Sequence, residues 1–191
     1  MGGYAGKILR VNLTNRTVST IETSQYEQYG GGHGFGSAVF FDLVKEKAIS
    51  GFDPRNTITL MNSPLSGTLA PAVAGRTEAQ GIGVQAYPYE WFTRGNVGGR
   101  FSAMLKYAGW DGVVIEGSAD APVWLDVRND EVAIRDAQAL WGKDAWETQR
   151  SIWQAVAADA GYGGWITLGE DTESGRTTQR PAVLAIGQYV R

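Results

Sequence analysis

Three loops broken by glycine or proline carry the side chains best arranged for chemistry. SPLSGTLAPAVAGR (residues 63–76) holds two prolines, two glycines and three hydroxyl residues before it ends on Arg76. Its prolines fix the backbone, and its small residues let a ligand or a second backbone lie close. Arg76 adds a permanent charge with a planar fork of donors, suited to phosphate or another planar anion. A surface connection whose arginine makes an ordinary salt bridge would read the same way, and residue chemistry alone leaves both open. RGNVGGRFSAMLKYAG (94–109) has a similar character: a glycine turn opens a helix between Arg94 and Arg100. Open N–H groups at a helix start, with arginines nearby, favour phosphate.

The third loop, GGGHGFG (30–36), looks superficially like a phosphate loop. A dinucleotide fingerprint needs a strand before it, a helix after it and an acidic residue about twenty positions on. The segment before it is polar and helical in pattern, so the first condition fails. The glycines then form a structural turn, the simpler reading, or present N–H groups to an anion. His33 reads as a hydrogen-bonding loop residue before it reads as a catalyst. Two anion-suited loops in one small domain point to a large polyanionic ligand with a flat body. No acid–base pair, nucleophile triad or metal-ligand cluster accompanies them. The residues describe a binding platform without chemistry of its own.

Composition narrows the classes further. The 191 residues suffice for one domain with a sizeable core, and 43% apolar against 19% charged residues is globular. A net charge of −3, with the 17 Lys and Arg scattered, argues against nucleic-acid binding. The absence of cysteine excludes disulfides and thiolate-held metal within this chain, and a single histidine excludes a His-based zinc site. No apolar leader or run long enough to span a membrane occurs, so a cytoplasmic protein is expected. Glycine, at 26 residues, is about twice its usual share.

The elements that must position these loops are legible in part. GKILRVNL sets Ile8, Arg10 and Asn12 against Leu9, Val11 and Leu13, a strand pattern. TNRT (14–17) turns it into VSTIE, a hairpin. Ser24 is a candidate N-cap, and Val39, Phe40, Leu43 and Val44 predict a helix over about 34–47. NTITLMN (56–62), TEAQGIGVQ (77–85) and YEWFTRG (89–95) read as strands. Phe101, Met104, Leu105 and Ala108 form one face of a short helix capped by Gly109. DGVVIEG is a strand, and APVWLDVRNDEVAIRD is a hairpin joined at RND. KDAWETQRSIWQAVAAD (143–159) is a helix with Trp146, Ile152, Trp153 and Val156 as its apolar stripe; AVLAI is a late strand. Strands and helices without a βαβ rhythm make the fold class α+β.

The order of five segments resembles one family, the N-terminal domain of tungsten-containing aldehyde:ferredoxin oxidoreductases. They are GKILRVNLTNRTV, GGGHGFGSAVFFDLV, NSPLSGTLAPAVAGR, NVGGRFSAMLKYAGWDGVVIEGSADAPVWLDV and VAIRDAQALWGKDAWET, covering most of residues 5–150. The resemblance implies two β-sheets with interspersed helices, and a tungsten or molybdenum bis-pterin cofactor lying on this domain as on a base. By matching position, Arg76 is similar to the family arginine set against the pterin and a [4Fe–4S] cluster. Asn96 resembles the asparagine near the pterin phosphates, where magnesium bridges them. Gly95, Gly98 and Gly99 would let those phosphates approach. His33 stands where many members have arginine.

The resemblance also implies aldehyde oxidation with electrons leaving through the cluster to ferredoxin. Its cluster cysteines lie in later domains, so this chain is expected to be inactive alone. The remaining catalytic domains or a partner subunit carrying those cysteines would complete it, and an oligomer is expected. The whole chain reads as a single pterin-binding domain, with residues 156–180 as a family-atypical insertion. Relatives that reduce aromatic acyl-CoA thioesters share the domain. Two other classes are a non-catalytic module that kept the fold and a sugar-stacking domain built on the seven Trp. Core-like spacing of Trp141, Trp146 and Trp153 favours burial over sugar stacking.

Overall fold

The computed structural model describes residues 3–71, 75–85, 88–159 and 180–186. They divide into two compact units, residues 1–136 and 137–191. The first is built on a six-stranded mixed sheet. Its strands are β1 (Lys7–Asn12), β2 (Thr17–Glu22), β3 (Thr57–Asn62), β4 (Thr77–Gly83), β5 (Trp91–Val97) and β6 (Gly112–Glu116), in the order β2-β1-β6-β3-β4-β5. Only β1 and β6 pair in parallel; every other neighbour is antiparallel. A separate hairpin joins β7 (Val123–Arg128) to β8 (Glu131–Asp136). The class is α+β with two sheets.

Three helices accompany the strands: α1 (His33–Leu43), α2 (Phe101–Tyr107) and α3 (Ala145–Ala157). Helix α1 lies on β3 and β4 and seats Phe35, Val39 and Phe40, all fully buried. Phe35 joins Ile8, Met61 and Val114 in the main core and stacks on Tyr4, ring centroids 5.7 Å apart. Gly36 makes this close approach possible. A Cβ there would stand 2.0 Å from Gln80 Oε1 and 2.8 Å from Thr59 Oγ1.

The LKYAGWDG run has a structural explanation. The buried Asp111 carboxylate accepts from the Ala5 and Gly6 N–H groups at 2.9 Å each, from the Thr23 hydroxyl at 2.7 Å and from Lys106. It thereby ties the N-terminal segment, the end of α2 and the start of β6 together. Trp110 donates to Asn129 O at 2.8 Å, with Lys7 lying over its ring. Gly109, at φ +90°, follows the helix as a C′ glycine.

Several expectations need correction. Helix α1 stops at Leu43, and Val44 is extended (ψ 102°), because the chain turns there to bury Val44 with Phe40, Ile49 and Ile82. Ser24 caps nothing; it lies in a 3₁₀ turn, Thr23–Gln25, and Gly32 precedes α1. In α2 the buried face is Ser102 and Leu105, whereas Met104 is exposed, since Ser102 serves the polar lock described below. Strand β5 extends through Val97, so Gly95 and Asn96 are strand residues and the turn begins at Gly98.

In the second unit, α3 buries Ile152 and Val156, and its Asp144 cap accepts from Glu147 N at 2.7 Å. Trp153 donates to Pro181 O at 2.9 Å. Trp141 and Trp146 are 78% and 79% exposed, so burial does not explain them. The described residues 182–186 form no strand. Most of residues 156–180, expected to be an insertion, lie outside the described residues.

Candidate functional site

The Pro/Gly loop begins as soon as β3 ends. Leu65 N donates to Ser63 Oγ at 3.2 Å and Ser66 N to Ser63 O at 3.0 Å, a serine-initiated turn. Thr68 closes the next turn onto Leu65 O at 2.8 Å, and Tyr107 of α2 donates to Gly67 O at 2.8 Å. Ser66 is wholly buried, and its hydroxyl finds no partner among the described residues. Leu69 is fully exposed.

The loop's end is pinned by a polar lock absent from the sequence reading. Asn62, at the end of β3, accepts from the Thr77 hydroxyl at 2.7 Å and donates to Ser102 O at 3.1 Å. Ser102 Oγ in turn donates to Arg76 O at 3.3 Å. Asn62, Thr77 and Ser102 are all buried, so β3, β4 and α2 are joined where water cannot compete. The one signal available was polar residues closing otherwise apolar segments.

This lock brings the first two loops together. Thr77 pairs with Val97 in the β4–β5 ladder, which sets Arg76 beside the Gly98–Gly99 turn. A Cβ on Gly75 would stand 2.9 Å from Gly99 O, so the two backbones touch there. Arg76 is exposed and makes no ion pair among the described residues. Gly95, Asn96, Gly98 and Gly99 are also exposed. A Cβ on Gly95, Gly98 or Gly99 would meet nothing within 4 Å.

The third loop arrives by another route. Register pairs Asn96 with Glu78 and Arg94 with Gln80, placing these four side chains on one sheet face. Helix α1 covers part of that face and delivers His33, whose Nδ1 lies 3.1 Å from Glu78 Oε1 and 2.6 Å from Gln80 Nε2. Arg94 donates to the same Glu78 oxygen at 3.3 Å. Among the described residues no group of three or more His, Asp or Glu could hold a metal. No helix among them is long and apolar enough to cross a membrane.

A family model for the N-terminal domain of aldehyde ferredoxin oxidoreductase matches residues 8–176. The chain belongs to this family. Among curated relatives, the tungsten-containing aldehyde ferredoxin oxidoreductase of Pyrococcus abyssi is 39% identical over 161 residues, 82% of this chain and 25% of that protein. Its Thermococcus kodakarensis counterpart is 35% identical over 83% of this chain and 26% of its own length. An aliphatic sulfonate oxidoreductase WOR-like subunit of Pyrococcus furiosus is 29% identical over 82% and 25%. A solved structure, the active site complex BamBC of benzoyl coenzyme A reductase with 1,5-dienoyl-CoA, aligns with a TM-score of 0.74 at 29% identity. It covers 81% of this chain and 23% of its own. The chain thus spans about a quarter of the relatives it matches, and this family domain is one part of an oxidoreductase.

Proposed function

We propose that this family domain seats a tungsten or molybdenum bis-pterin in a cytoplasmic aldehyde:ferredoxin oxidoreductase. The observation that carries the reading is the meeting of the Arg76 loop with the Gly98–Gly99 turn at one end of the β4–β5 ladder. The residues fit such a group. Open backbone at Gly95, Gly98 and Gly99 allows phosphates to approach, and the exposed Arg76 guanidinium supplies planar charged donors. Asn96, exposed on β5, offers an amide to a magnesium ion between phosphates.

When bound, the cofactor would supply two-electron oxidation of an aldehyde, with a [4Fe–4S] cluster held outside this chain passing electrons to ferredoxin. The chain's own residues bind and orient. The Asn62–Thr77–Ser102 lock fixes the backbone from which Arg76 projects, so only its side chain remains to be ordered on binding. Catalytic side chains and cluster cysteines come from the remaining domains or a partner subunit. Arg76→Ala in the complete enzyme is expected to lower tungsten and pterin content while the protein still folds. Unchanged metal and pterin content would sink the proposal.

A second reading has its own support. The benzoyl-CoA reductase complex shares this fold, so an acyl-CoA-reducing enzyme is the alternative. Assay of the complete enzyme with aldehydes and with aromatic acyl-CoA thioesters separates the two.

A further inference from the structure

We propose that His33 is a proton-operated switch on the α1–β4–β5 face, its imidazole bonding to Gln80 when neutral and to Glu78 when protonated. Its Nδ1 faces a donor, Gln80 Nε2 at 2.6 Å, and an acceptor, Glu78 Oε1 at 3.1 Å. One nitrogen carries a lone pair or a proton, never both, so only one contact is a hydrogen bond in any one state. As placed, the Gln80 amide turns its Nε2 toward several acceptors while its buried Oε1 has no hydrogen-bond partner among the described residues. Its Nε2 also donates to His33 O at 3.2 Å, and turning the amide over would set two carbonyl oxygens against each other. Neutral His33 is therefore the Nε2–H tautomer, with Nδ1 accepting from Gln80 across the shorter contact. Protonated His33 must donate from Nδ1, and the carboxylate is its acceptor.

The cluster contains a spare partner for each state. Released by Nδ1, the Gln80 N–H has Ser37 Oγ at 3.4 Å. Released by His33, Glu78 Oε1 keeps Arg94 at 3.3 Å. Both pivots are nearly sealed from water, Gln80 at 3% and the Glu78 side chain at 8% exposure, so neither state can substitute solvent for its partner. His33 itself is 56% exposed and can exchange a proton with bulk water.

The other groups around this end of α1 are few. β4 contributes Glu78 and β5 contributes Arg94 through it, while β3 has no ionisable residue. The 3₁₀ turn before the helix carries Glu27 and Tyr29, and Tyr4 stacks on Phe35. None of these last three hydrogen-bonds to the ring. Since Glu78 and Arg94 offset one another, protonation of His33 adds one positive charge to the face that Asn96 shares.

His33 is the chain's single histidine, so its ring nitrogens can be read without ambiguity in the ¹⁵N-labelled full chain. In the neutral ring, long-range ¹H–¹⁵N correlation should show unprotonated Nδ1 and protonated Nε2. In the protonated ring, Nδ1–H should appear and resist exchange with water. Gln80→Met should move the neutral ring toward the Nδ1–H tautomer, and Glu78→Gln should expose the acid-form Nδ1–H to exchange. A neutral wild-type ring carrying its proton on Nδ1 would overturn the proposal, and that measurement needs no variant. A tautomer unmoved by Gln80→Met in a folded chain would overturn it as well.

Discussion

Gly75 and Gly99 meet backbone to backbone: a single methyl group on Gly75 would reach within 2.9 Å of Gly99 O. Neither partner is a flexible side-chain tip, so relief requires moving the main chain. Overpacking of this kind costs roughly 1–3 kcal/mol. Gly75→Ala should lower chain stability by about that amount in denaturant titration. In the complete enzyme it should also reduce pterin content beyond what the stability loss explains. Gly98→Ala, whose Cβ meets nothing within 4 Å, is the control and should leave stability almost unchanged.

Asp111 should set the acid limit of the first unit. Burial pushes its carboxyl up, but hydrogen bonds from Lys106, the Ala5 N–H, the Thr23 hydroxyl and the Gly6 N–H outweigh that and hold it below its ordinary value. The folded carboxyl is therefore the stronger acid. Its stabilisation is complete above about pH 4 and is lost as the pH falls through the folded value. Thermal melts from pH 6 down to pH 2 should show a steep loss in the wild type. Asp111→Asn should flatten that limb and cost about 3 kcal/mol or more at neutral pH, because Lys106 is left buried without its partner.

Local order was legible where the period and the turn residues agreed. In β1 to β3, and in the β7–β8 hairpin with Asn129 at φ +55°, short-range sterics and alternation decide the answer. Elsewhere long-range packing overrode the local pattern. Val44 carries the helical stripe but is claimed by the Phe40 cluster, and Trp146 sits at helical spacing on the exposed side of α3. Arg76, Asn96 and the glycines around them were found as residue types. Their juxtaposition depended on Asn62, Thr77 and Ser102, whose hydrogen bonds span 15 to 40 residues of chain. The His33–Glu78 contact spans 45 residues and rests on register and helix placement, neither of which a single sequence prints.

Tyr26 should set the alkaline limit. Burial, then the hydrogen bond to Asp42 at 2.9 Å and the charge of that carboxylate, push its hydroxyl up to about 12 from an ordinary 10.0. The unfolded chain loses the phenolic proton first. Stability is therefore intact below pH 10 and falls as the pH rises toward 12, by about 2 kcal/mol from this group. Tyr26→Phe should cost about 1 kcal/mol at pH 7 through the lost hydrogen bond and should reduce the alkaline fall. Denaturant midpoints at pH 7, 10 and 11.5 would decide it; parallel losses in both proteins would refute the assignment.

The second unit offers a test that leaves the sheet untouched. Asp144 caps α3 by accepting from Glu147 N at 2.7 Å, and Glu147 in the first turn adds a favourable charge at the helix N-terminus. Removing the cap strands one N–H at the start of α3. Asp144→Ala should destabilise α3 by about 1 kcal/mol, whereas Asp144→Ser should recover most of the loss. Amide exchange read residue by residue should rise over 145–150 and leave β1 to β6 as protected as before. Equal loss of protection in the six-stranded sheet would instead mean that the two units unfold as one.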